Sequence, residues 1–524
     1  MRGDARDGVL HKLKAESAMI LGMSSTNTLL DLIRSAPAKN TAIVLPEAGI
    51  QVSYHSFREQ VQGMADALAS LGVQPGDRVA TSLPNGLAAI VSFIAASVAG
   101  TAAPLNPGYR EDEVSFYLED TAAKLLLVPP DGQADARKAA ESRGVPVYSL
   151  ETNDKGFVRI AGAPSGKTAA PPSPDDTALV LHTSGSTGRP KRVPILHRNL
   201  AASTRNIVET YTLTENDVSL CVMPLFHVHG LVASTLSTLL SGGRVVVPNK
   251  FNALTFWRTV RDTKATWYSA VPTIHNLLLS RAGETRPDGA EGLRFIRSCS
   301  ASLPAEMMEK MERIFGVPVL EAYGMTEASH QMSSNPQPPQ ARKPSSVGKG
   351  TGVEIAIMDD AGSMLPTGTP GEVVIQGPNV VAGYENNPEA NAKSYTNGWF
   401  RTGDQGFLDA EGYLTLTGRL KELINRGGEK IGPREIDEVL LAHPAVSEAV
   451  CFGVPHPGWG EEVEAVVVFK EGAKDTPAAD VMAFCKERLA EFKRPKKIHI
   501  ADSIPRTATG KIQRGNVGKA FSGA

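Results

Sequence analysis

Apolar side chains at Phe57, Val61, Met64, Leu68 and Leu71 recur at helical spacing. Beyond Gly72 and the Pro75-Gly76 turn comes Arg78-Val-Ala-Thr-Ser82, which reads as a strand. The alternation returns through 122–129, 178–182, 243–247 and 293–297. Such largely buried strands covered by helices predict an α/β architecture to about residue 340. Between Lys155 and Asp175 the chain turns to Gly, Ala, Pro and Ser, and a surface connection is expected. From Gly352 it changes to short β-like segments between Gly and Pro, such as Gly371-Glu-Val-Val-Ile-Gln376, which predict a β-rich subdomain. Past Arg419 a helix is expected from near Pro433, then strands over 446–454 and 464–469 and a helix from about 477 to 490, which together make a small α+β unit. The expected division is an N-terminal extension (1–26), a large domain of α/β subdomains plus the β-rich subdomain (27–419), and a small α+β C-terminal domain (420–524).

Length agrees with this division, since 524 residues exceed one ordinary core. The 54 basic and 56 acidic residues nearly balance, which gives no electrostatic reason to expect nucleic acid or a membrane surface. Cys221, Cys299, Cys451 and Cys485 lie far apart with no C-x-x-C pair, so free thiols are expected rather than a disulfide framework or a zinc site. The longest apolar run, Leu87–Ala103, is punctuated by small residues and is too short to span a bilayer, so no integral membrane association is expected. Acidic residues among the first two dozen argue against an organellar presequence, and Phe521-Ser-Gly-Ala524 is not a peroxisomal signal. A cytoplasmic monomer or weak homo-oligomer is the expectation.

The first candidate chemistry lies at Thr183-Ser-Gly-Ser-Thr-Gly-Arg-Pro-Lys191, which follows the buried strand Ala178-Leu-Val-Leu-His182. Gly185 and Gly188 let successive backbone N–H groups converge, Thr183, Ser184, Ser186 and Thr187 add hydroxyls, and Lys191 adds a charge, so the loop suits a polyphosphate. A Walker A loop would end Gly-Lys-Ser/Thr, and this one ends Arg-Pro-Lys. A flexible Ser/Gly turn between strands remains the alternative.

These residues resemble the signature T-S-G-[ST]-T-G-x-P-K-G of the adenylate-forming superfamily, which includes acyl-CoA ligases, luciferases and peptide-synthetase adenylation domains. Arg192 replaces the final glycine. Four further segments are similar to the family in the family's order. In Glu321-Ala322-Tyr323-Gly324-Met325-Thr326-Glu327 the resemblance implies that Tyr323 stacks on adenine, Thr326 meets phosphate and Glu327 holds Mg²⁺, a hard cation suited to one carboxylate and phosphate oxygens. In Gly398-Trp-Phe-Arg-Thr-Gly-Asp404 it implies ribose binding by Asp404, and in Gly418-Arg-Leu-Lys-Glu-Leu-Ile424 it implies Arg419 at the ribose and Lys421 at a hinge. In Pro505-Arg-Thr-Ala-Thr-Gly-Lys511 it implies a catalytic lysine, Lys511, delivered by a mobile C-terminal domain. Gly427 and Gly428 would let the backbone run close to the pantetheine arm of coenzyme A, or would serve an ordinary β-turn. The implied partners are thus ATP, coenzyme A and a small-molecule carboxylate.

For the acid, Leu225-Phe-His-Val-His-Gly230, Leu293-Arg-Phe-Ile-Arg-Ser-Cys-Ser-Ala-Ser302 and His330 fall in segments that line the acyl site of similar ligases. His227, Ser300 and His330 would hold a second carboxylate, with His227 also counted among the catalytic candidates. From about residue 27, including the stretches Ala265-Thr-Trp-Tyr-Ser-Ala-Val-Pro-Thr-Ile-His275 and His330-Gln-Met-Ser-Ser-Asn-Pro336, the chain also resembles the oxalyl-CoA ligases of plants and fungi, which implies oxalate. The blander readings are that His227 gates the pocket and His330 packs as a core histidine. A medium-chain or aromatic acid, and a non-catalytic nucleotide-binding protein, are the rival functions.

Overall fold

The computed structural model describes residues 27–34, 36–183, 190–506 and 512–522. Helix Tyr54–Ser70 starts where the Ser53 hydroxyl accepts from the Ser56 N–H at 3.2 Å, and it buries Phe57, Val61, Met64 and Leu68. Beside it packs Leu87–Ala99, a helix apolar enough to be buried on almost every side. Leu87–Ala103, the longest apolar run, is thus a core helix and the start of strand Thr101–Leu105. Among the described residues no helix is long and apolar enough to cross a membrane.

Two large sheets carry the α/β part. The first has seven strands in the order Val158–Ile160, Val147–Thr152, Leu125–Val128, Arg78–Ser82, Thr101–Leu105, Thr177–Thr183 and Lys191–Leu196. The second has nine, and its middle runs Val319–Met325, Phe295–Ser298, Trp267–Ala270, Val218–Cys221, Arg244–Val246. Both are parallel in the middle and antiparallel at the edges. Toward one edge, the first sheet pairs Thr177–Thr183 with Lys191–Leu196, and the second pairs Val319–Met325 with His330–Ser334, both antiparallel.

The surface connection expected over 155–175 is in part a strand. Val158 and Ile160 turn inward and pair with Leu150–Thr152, and the buried Gln60 amide clamps this edge by accepting from the Val158 N–H at 2.9 Å and donating to Gly156 O at 3.0 Å. The hairpin Thr41–Leu45 with Ile50–Ser53 was also not foreseen; it adds to the nine-stranded sheet beside Arg244–Val246.

The β-rich part is a five-stranded antiparallel sheet that includes Gly371–Gln376, Trp399–Leu408 and Leu414–Arg419. Its last pairing sets Asp404 opposite Arg419. Beyond it, strands Val446–His456 and Gly460–Phe469 pair along their length, Lys497–Ile500 adds in parallel, and helices Pro433–Leu441 and Ala478–Arg488 cover one face. This last part has its own apolar core, built on Ile424, Ile436, Leu440, Ala465, Val467 and Val481. All four cysteines are free and buried.

Candidate active site

The two antiparallel pairs meet. Thr183, the last residue before the Ser/Gly loop, donates its hydroxyl to Glu327 Oε1 at 3.3 Å, and the Tyr384 hydroxyl donates to the same oxygen at 2.9 Å. Lys191 lies with Nζ 4.4 Å from the centre of the Tyr384 ring. Partial burial pushes the Lys191 ammonium below its ordinary range against the pull of Glu327, and Lys421 and Lys393 push it down further. Thr183, Glu327 and Tyr384 therefore meet beside Lys191, and the charges of Lys421 and Lys393 act on it. Ser184, Gly185, Ser186, Thr187 and Gly188 lie outside the described residues. Arg192, which stands where the signature has glycine, is anchored by Nε to Asp120 at 3.3 Å, and its carbonyl accepts from the Glu385 N–H at 3.0 Å. The extra side chain thus ties the strand after the loop to the end of helix Glu111–Asp120.

The nucleoside candidates form a second group. Tyr323 donates its hydroxyl to Asp404 Oδ2, and Arg419 Nε lies 3.2 Å from Asp404 Oδ1. Burial, and then the Asp404 carboxylate, push the Tyr323 phenol well up, so it remains a donor; the same carboxylate holds the Arg419 guanidinium above its ordinary value. Gly324 is required by a close approach, since a Cβ there would lie 1.9 Å from His330 O. Thr326 is buried in the turn Thr326–Ala328, and Ala322 is buried in the strand before it. Glu321 points elsewhere: its Oε1 accepts from the Leu303 N–H at 2.9 Å and lies 3.6 Å from Arg434 Nη2, across the seam to the C-terminal part. Burial lifts its carboxyl to about 7, against the pull of Arg434. Glu321 thus braces the strand.

The acid candidates are joined by a residue that was not singled out. His229 Nδ1 lies 3.0 Å from Ser300 Oγ, its Nε2 lies 2.6 Å from Ser269 Oγ, and its ring stacks on that of His330 at 5.2 Å. Ser300 (φ +71°) and His330 (φ +114°) both hold left-handed backbone, a strained geometry that clusters at functional sites. His227 is half-buried, and its Nδ1 accepts from the His229 N–H at 3.2 Å, at the start of the π-helix His229–Leu236. The quoted segment Leu225–Gly230 contains His229, but spacing alone could not choose between its two histidines.

In the C-terminal part, Gly427 (φ +61°) and Gly428 (φ +94°) form the two-residue turn between strands Ile424–Arg426 and Glu429–Ile431, so turn geometry accounts for both. A Cβ at Gly427 would meet the half-exposed Trp459 ring at 2.9 Å. Lys511 lies outside the described residues.

The family model described as AMP-binding enzyme matches residues 33–385, and the model of its C-terminal domain matches 435–511. The chain belongs to the AMP-binding enzymes. A probable CoA ligase of Humulus lupulus is 46% identical over 95% of this chain and 97% of its own. The oxalate–CoA ligase of Arabidopsis thaliana is 47% identical over 90% of this chain and 93% of its own, and that of Saccharomyces cerevisiae 43% over 92% and 95%. Among solved structures, ATP-bound MatB from Rhodopseudomonas palustris superposes with a TM-score of 0.87 at 32% identity, covering 95% of this chain and 99% of that one. As an AMP-binding enzyme the chain is built to use ATP.

Proposed function

We propose that the protein is an ATP-dependent acid–CoA ligase whose acid is oxalate. A carboxylate oxygen attacks the α-phosphorus of ATP, the α–β anhydride bond breaks and diphosphate leaves. The thiol sulfur of coenzyme A then attacks the acyl carbon and loses its proton, and AMP leaves with the bridging oxygen. In the first step Lys191 and the loop after Thr183 hold the phosphates, Asp404 and Arg419 hold the ribose, and Lys511 neutralises charge between the two anions. Rotation of the part from 420 onward about Lys421 withdraws Lys511 and brings the Gly427-Gly428 turn to the thiol.

The donor set at Glu327 fits Mg²⁺. Among the described residues no group of three or more His, Cys, Asp or Glu side chains could cage a metal, so a cation would be held by this one carboxylate together with phosphate oxygens, the arrangement magnesium favours. When bound there, it would offset the negative charge that builds as diphosphate departs.

The observation that supports the choice of acid is the polar cluster of His229, Ser300 and His330, in segments where an alkyl or aromatic acid would need apolar surroundings. Relatives named oxalate–CoA ligase support it. The test is acid-dependent exchange of labelled diphosphate into ATP, and coenzyme A consumption, across oxalate, malonate, acetate, octanoate and coumarate. Oxalate should give the highest kcat/KM. Faster turnover of octanoate or coumarate would remove oxalate, and exchange with none of the acids would remove the ligase reading itself.

A further inference from the structure

Arg297 is fully buried in strand Phe295–Ser298, yet its partners are all neutral. Nε donates to Tyr211 OH at 2.8 Å, Nη2 to Gln331 Oε1 at 3.0 Å and Nη1 to Ser269 Oγ at 3.0 Å. No carboxylate pairs with it among the described residues; the groups that act on its charge are Tyr211 and Cys299. A guanidinium taken out of water with no counter-ion is costly, and it stands one hydroxyl from the pocket histidine.

The direction of the hydrogen bonds follows from what arginine lacks. A guanidinium can only donate, so Ser269 Oγ is an acceptor toward Arg297. Among the described residues the other bond of Ser269 Oγ is to His229 Nε2, at 2.6 Å, so the serine proton points there and Nε2 accepts. The positive charge behind Ser269 favours this arrangement over a second N–H aimed at it. His229 then carries its proton on Nδ1 and donates to Ser300 Oγ at 3.0 Å, which leaves the Ser300 proton for the pocket.

We propose that Arg297 is a positioning residue for acid specificity: through Ser269 and His229 it orients Ser300 as a donor and lends an uncompensated positive charge to the far end of the acyl site. The bound acid's second carboxylate supplies the missing counter-charge. The chain thereby selects a short dianionic acid over a monoanionic one of the same length. This inference rests on the oxalate reading and deepens it.

The test uses the full-length enzyme and diphosphate exchange with oxalate and with acetate, in wild type and in Arg297→Met, Arg297→Lys and Ser269→Ala. Arg297→Met should raise the KM for oxalate, and lower the oxalate-to-acetate ratio of kcat/KM, by about tenfold or more, while the KM for ATP stays within about twofold. Arg297→Lys, which keeps a donor-only cation, should recover part of the ratio. Ser269→Ala should shift it in the same direction as Arg297→Met, and decides the matter alone if the latter does not fold. An unchanged ratio in the folded variants, or an equal rise in both KM values, would overturn the role of Arg297. Failure of wild type to use oxalate would show before any variant is made, and would overturn the substrate reading instead.

Discussion

The two ends of the site handle charge in opposite ways. At the nucleotide end Asp404 is paired within the protein, to Arg419 and Tyr323, and Glu327 is bonded by Thr183 and Tyr384. At the proposed acid end the fully buried Arg297 has no carboxylate partner among the described residues and is bonded to Ser269, which is bonded in turn to His229. A nucleotide brings polar groups that need shaped partners and extra cations for its phosphates, whereas a small second carboxylate can be recognised by a charge that nothing else satisfies.

The largest break in this comparison is expected at Lys511. Lys511→Ala should lower acid-dependent diphosphate exchange on the order of a hundredfold or more, while thioester formation from supplied oxalyl-adenylate survives; equal loss in both steps would refute the division of labour. A pair of variants sharpens it next. Asp404→Asn should raise the KM for ATP by about tenfold with little change for oxalate, and His330→Ala should do the reverse, so steady-state kinetics in both substrates would expose ends that are not separable.

The smallest effect on the reaction is expected at Glu321, between the two ends. Its folded carboxyl titrates at about 7 against an ordinary 4.5, so the native state holds a proton that the unfolded chain releases across that window. The stability this carboxyl contributes is therefore complete below 4.5 and is lost as pH rises through 7. Glu321→Gln should match wild type near pH 5 and exceed it near pH 8 by about 2 kcal/mol in denaturant unfolding; parallel pH profiles for the two proteins would contradict the shift.

The family motifs were legible in the chain because they are contiguous segments. Thr183 and Lys191 flank one connection, and Tyr323 and Glu327 lie in the strand and turn of another, so local spacing carries these motifs. The acid end was legible only in part. Ser300 and His330 were singled out in the sequence, and the structure sets both against His229; His229, Ser269 and Arg297 were not singled out. The one available signal was an arginine inside the apolar run Phe295-Ile-Arg-Ser298, and it says only that something unusual is buried there.

The sequence by itself determined the alternation of buried strands and helices, the β-rich segment after it, the compact C-terminal unit, and the order of the phosphate and adenylate motifs. These follow from local periodicity and short spacings. Only the tertiary structure decided that Glu321 braces a strand and that the buried Arg297 guanidinium is linked through Ser269 to His229. Both depend on which elements lie side by side: pairing of Trp267–Ala270 with Phe295–Ser298, and packing of His229–Leu236 near them, bring His229 to Ser300 from 71 positions away, and the C-terminal part brings Arg434 to Glu321 from 113 positions away. No periodicity along one chain encodes a hydrogen bond across that separation.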